Sequence, residues 1–125
     1  LNSEYILKSF GNNNVGQLGI SNSSVDYSSE IWTVKVKNDK IRSFDCGTAH
    51  ISCLTMNNKI HFYGHNYYEQ CGLKSDSQCH KGNTYSLNNK QIISVKCGNN
   101  HNIIKTMNNV YYSFGDNRYK QLLIE

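Results

Sequence analysis

Two short motifs recur along this chain of 125 residues at one common spacing, and that spacing restricts the fold more than any other feature. Three segments align without gaps: Phe10 to Gly19 (FGNNNVGQLG), Tyr63 to Gly72 (YGHNYYEQCG) and Phe114 to Leu123 (FGDNRYKQLL). Each reads aromatic, Gly, any residue, Asn, three variable residues, Gln, then an apolar residue or Cys. A second motif precedes the later two, as Ile41 to His50 (IRSFDCGTAH) and Ile92 to His101 (IISVKCGNNH). Gly47 and Gly98 stand 51 residues apart, as do Gly64 and Gly115. The run Thr55-Met56-Asn57-Asn58 returns at the same offset as Thr106-Met107-Asn108-Asn109. Such a period marks copies of one supersecondary unit stacked side by side.

Within one unit the local pattern is β. Ile41 to Cys46 is a short, partly apolar run stopped by Gly47, and His50 to Met56 alternates loosely with β-branched residues. The latter meets Ile60 to Tyr63 across Asn57, Asn58 and Lys59, and Asn accepts the left-handed conformation that a tight hairpin turn demands. A fourth strand is expected over Ile31 to Val36 in one unit and Thr84 to Leu87 in the next, each after a polar loop. No segment carries a helical period. Four short antiparallel strands per unit at this period define an all-β chain of β-propeller blades. The single domain 1–125 then divides into a partial blade (5–36), a complete blade (41–87) and a second partial blade (92–125).

The pairing of Cys-Gly-x-x-His with aromatic-Gly-x-Asn-x-x-x-Gln-Leu-Gly resembles the repeat of the regulator of chromosome condensation family. The resemblance covers essentially the whole chain, with two copies of the first motif and three of the second. It implies a ring of seven blades, of which these residues form an incomplete arc. The chain opens on Leu1 without an initiator Met, so it is expected to begin inside a longer reading frame. Some family positions differ here. Asn58 and Asn109 stand where the hairpin turn usually has Gly, Glu69 and Lys120 where the loop has its second Gly, and Leu123 where it has its last.

Residues that return in every unit are expected to be scaffold, because a unique active site is not copied blade by blade. Gly47 and Gly98 are assigned to places where the chain turns with no room for a side chain, and Gly11, Gly64 and Gly115 to the matching repeat position. His50 and His101 are expected to hydrogen-bond backbone groups of their blade. Asn66, Gln70, Asn117 and Gln121 are expected to satisfy loop backbone groups, and Gln17 is a structural repeat position. Cys46, Cys97 and Cys71 read as small core residues; Cys53 and Cys79 stay unassigned. Binding is to be sought in segments that do not repeat, 20–30 and 65–83. In the second, Tyr67, Tyr68, His80 and Lys81 form the candidate partner-binding set. The two tyrosines either stand on a protein-binding rim or pack on the neighbouring blade.

Composition excludes several classes. The formal charge is +4, but eleven of the thirteen basic residues are Lys, scattered along the chain, and only Arg42 and Arg118 offer the planar fork suited to phosphate. Nucleic acid is not the expected partner. Five cysteines without a CxxC pair give no zinc pattern, and neither a metal nor a cofactor is expected. No apolar run reaches the length of a membrane span, and reduced thiols suit a cytoplasmic or nuclear setting. There is no phosphate loop, nucleophile elbow or paired carboxylates, so no enzymatic activity is expected.

The leading expectation is a non-catalytic protein-interaction platform. The alternative that the resemblance implies is part of a guanine-nucleotide exchange factor for a Ran-like small GTPase, with that GTPase as partner. A further alternative is a structural subunit whose remaining blades lie in the same gene or another chain.

Overall fold

Short runs of β-branched and aromatic residues separated by Asn- and Gly-bearing turns leave the backbone no local partner, so each run pairs with its neighbour in sequence. The computed structural model describes residues 6–20, 27–34, 36, 38–73, 79–87 and 89–122. Nine strands run through them: β1 (Leu7–Asn12), β2 (Tyr27–Val34), β3 (Ile41–Cys46), β4 (His50–Thr55), β5 (Ile60–Gly64), β6 (Cys79–Tyr85), β7 (Ile92–Cys97), β8 (His101–Thr106) and β9 (Tyr111–Gly115). They form three antiparallel meanders, β1-β2, β3-β4-β5-β6 and β7-β8-β9. No helix occurs among the described residues. The architecture is all-β, as the repeat predicts.

The register explains why the two motifs travel together. His50 pairs with Gly64 across β4 and β5, and His101 with Gly115 across β8 and β9. Each glycine has a φ above 110°, and a Cβ there meets the Cα of the paired histidine at 2.8 Å. Gly47 and Gly98 are needed for space alone: a side chain on either collides with the ring of the histidine three residues on. The hairpin turns close with Asn58 and Asn109 at φ 63° and 56°, the left-handed geometry for which Asn substitutes for Gly.

Two fourth-position strands begin earlier than the sequence suggests. β2 starts at Tyr27, inside the non-repeating segment 20–30, and β6 starts at Cys79, inside the non-repeating segment 65–83. Both early halves are polar and carry no alternation, because an outer strand is held by a backbone ladder on one side.

Sheets stack face to face and bury two apolar clusters. Leu54, Ile60 and Phe62 of the second sheet, with Cys71 of the loop after β5, meet Ile92, Val95 and Ile104 of the third. Val34 of the first sheet meets Ile41, Cys53 and Tyr63 of the second. Cys53 is thereby placed in a core, and burial pushes its thiol up to about 12.

Candidate functional site: a loop ridge pinned by side-chain amides

The loop after the third strand of each unit is shaped by its own Asn and Gln. Asn13, Asn66 and Asn117 each accept, through Oδ1, the N–H five residues on: Leu18 at 3.0 Å, Cys71 at 2.8 Å and Leu122 at 3.0 Å. Gln17, Gln70 and Gln121 accept, through Oε1, the N–H two residues back: Val15 at 3.1 Å, Tyr68 at 2.9 Å and Tyr119 at 2.9 Å. Loops without regular structure carry unpaired backbone donors, and these amides supply the acceptors. The residue at φ 83° is Gly16 in the first loop, but Glu69 and Lys120 take the same left-handed position at φ 60° and 59°.

Between the pins, Tyr67, Arg118 and Tyr119 point outward. Tyr67 is 66% exposed and Tyr119 83% exposed. Tyr68 and Tyr67 part ways: Tyr68 packs across the joint beneath the Arg118 guanidinium, 4.1 Å from its ring, while Tyr67 stays on the surface against His65. Arg118 is held in turn by Asp116, with Nε to Oδ1 at 3.0 Å and Nη2 to Oδ2 at 2.9 Å. Those bonds hold the Asp116 carboxyl below its usual range. The outcome is a ridge of Tyr67, Arg118 and Tyr119, with Tyr68 at its base, carried on two adjacent loops.

A buried polar joint fastens this ridge to the sheets below. Asn102, fully buried on β8, donates Nδ2 to Gln70 O in the ridge loop. Its Oδ1 therefore faces His50 Nε2, 3.0 Å away, and that nitrogen is the donor. The expected bond from the His50 ring to the backbone of its own blade is therefore not made; the ring bonds a side chain of the next sheet instead. Cys97 completes the joint. Its N–H donates to Asp45 Oδ2 at 2.8 Å, its Sγ lies 3.2 Å from Ser52 Oγ, and its thiol is pushed up to about 12, chiefly by burial. Its repeat mate Cys46 is exposed, not part of a core.

The joint makes stability respond to pH. With Nε2–H committed to Asn102, the second proton must enter at Nδ1, which is buried and unpartnered. Burial accordingly depresses the pKa of His50 below its ordinary 6.5. The unfolded chain then binds the extra proton first, so this contribution is complete above pH 6.5 and is lost as pH falls toward the folded value. In His50→Gln, which keeps a donor for Asn102, the fall in unfolding free energy between neutral and mildly acidic pH is expected to be shallower. Urea titrations at several pH values measure it, and an unchanged slope contradicts the assignment.

His80 and Lys81 have their backbone in β6, and their side chains lie outside the described residues. Among the described residues no group of three or more His, Cys, Asp or Glu side chains is arranged to hold a metal ion, and no helix is long and apolar enough to cross a membrane. Arg118, Asp45 and Asn102 escaped the sequence reading because each differs from its repeat mate. The signal that was available for Arg118 is its place in the variable triplet between the Asn and Gln pins.

No family model matches the chain. Human X-linked retinitis pigmentosa GTPase regulator is 33% identical over 87 residues, which is 69% of this chain and 8% of that protein. The crystal structure of human WBSCR16 superposes with a TM-score of 0.74 at 27% identity, over 85% of this chain and 28% of that one. The structure of Prp20p from Saccharomyces cerevisiae, whose binding to Gsp1p and histones has been described, superposes with a TM-score of 0.79 over 100% of this chain and 31% of that one. At 16% identity that last likeness speaks for the fold alone.

Proposed function

The chain belongs to the regulator of chromosome condensation repeat family, and on that premise we propose that it works as a non-catalytic protein-interaction platform whose contact surface is the loop ridge. One observation carries the reading. Every polar residue that recurs in the loops is engaged with backbone, while the variable positions between them present exposed Tyr and Arg, the residue types that dominate binding energy at protein interfaces. Residues 1–125 act in this reading as one stretch of a longer propeller, within a cytoplasmic or nuclear protein. Tyr67→Ala combined with Tyr119→Ala is expected to weaken the complex with the partner that co-purifies stoichiometrically by about 2 kcal/mol or more, roughly thirtyfold in Kd. Calorimetric titration reads this, and thermal unfolding of the variant should be unchanged because both rings are largely in solvent. Undiminished affinity, or substrate turnover by the protein alone, sinks the reading.

A second reading is the one that the family resemblance implies, nucleotide exchange on a Ran-like GTPase; that the 33%-identical relative is named a GTPase regulator favours it. Faster release of labelled GDP from such a GTPase in the presence of the native protein selects it, and an unchanged rate removes it.

A further inference from the structure

The joint between the second and third sheets shows what a sheet of this repeat asks of its neighbour. From the second sheet, Arg42 Nη2 donates to Ile92 O at 2.9 Å and Asp45 Oδ2 accepts the Cys97 N–H. Asn58 takes hold of Lys90 O and Ile92 N, both at 2.7 Å. Leu54 and Ile60 supply apolar cover. A step of 51 residues carries each of these positions to the far face of the third sheet. Two of the joint residues return: Asn58 as Asn109, in the same left-handed turn, and His50 as His101. That face is therefore built to receive another sheet by the same geometry.

Its chemistry, however, is inverted. Ile93 stands at the place of Arg42, Lys96 at that of Asp45, and Lys105 at that of Leu54. Strand register puts the two lysines on one face, since Lys96 pairs with Ile103 and Lys105 with Tyr111, while Ile103 in turn pairs with Ser113. Ile103 and Tyr111 are exposed there, and the Lys105 ammonium lies over the Tyr111 ring. Where the second sheet offers an acceptor to a neighbour's N–H, the third offers an ammonium, which only donates. A neighbour resembling the third sheet's own near face would set donor against donor, and two covered lysines without anions are costly.

We infer that the far face of the third sheet docks a propeller blade that carries carboxylates opposite Lys96 and Lys105 and an apolar residue opposite Ile93. A second copy of this chain does not fit that description. Among the described residues, the face its first sheet would present carries Lys8, bonded to Thr33, beside exposed Phe10 and Ile31, and so sets like charges together. The inference stands apart from the identity of whatever protein the loop ridge holds.

Carbodiimide, which joins an amine to a carboxylate only in direct contact, tests it on the native protein purified from its source. Peptide mapping is expected to find Lys96 or Lys105 joined to an Asp or Glu outside residues 1–125. Both lysines should also be acylated by acetic anhydride several-fold more slowly than Lys120, which is exposed on its loop. Links to carboxylates of a second copy of residues 1–125, no links from either lysine, or acylation as fast as that of Lys120 would each overturn it.

Discussion

Phe62→Ala is expected to lower the unfolding free energy by about 4 kcal/mol. Phe62 is the largest fully buried side chain among the described residues, and its loss is felt on both sides of a joint. On its own sheet it lies in one cluster with Leu54 and Ile60; across the joint its ring meets Phe114 edge-on, with centroids 5.4 Å apart and planes at 85°. That geometry puts the positive ring edge against the negative face and adds to the burial itself. Neighbours on two different sheets cannot collapse together into the space, so the cavity persists. Urea unfolding of the native protein measures the loss, and Phe62→Leu, which keeps most of the volume, should cost about 1 kcal/mol. A cost below that for the alanine variant would mean that the two sheets do not pack as described.

Gly64→Ala should cost on the order of 3 kcal/mol, from two causes that add. At φ 115° an L residue is strained, and the new Cβ overlaps Ala49 O and approaches His50 Cα to 2.8 Å. Both obstacles are backbone, so neither can swing aside. Gly11 separates the causes: it has φ 112° but no atom within 4 Å of a built Cβ, so Gly11→Ala should cost only the conformational part, about 1–2 kcal/mol. Equal losses at the two sites would show that steric overlap plays no part.

What could be read in the sequence follows the division between recurring and non-recurring residues. The third-strand loops were legible because Asn66 and Gln70 recur as Asn117 and Gln121, and a recurring polar side chain in a loop has backbone to satisfy. The joint was not legible. Its acceptor Asp45 recurs as Lys96 and its hub Asn102 stands at the place of Ile51, so comparison between units discounts the residues that matter most there. Cys46 shows the opposite failure. Its repeat mate Cys97 is covered by Ser52, but among the described residues the first sheet has no strand equivalent to β4 to cover Cys46. Strand edges were misread at Tyr27 and Cys79 for a simpler reason: an outer strand needs a ladder, and a ladder leaves no mark in side-chain alternation.

The Asn and Gln pins have a consequence for heredity. Because they hold each loop through main-chain atoms, the three positions between them carry different side chains in one and the same frame: Asn14-Val15-Gly16, Tyr67-Tyr68-Glu69 and Arg118-Tyr119-Lys120. Such windows are expected to tolerate substitution more readily than the buried positions of the sheets beneath. A lineage can therefore rewrite the surface one unit at a time and acquire a new ligand without first passing through an unstable ancestor.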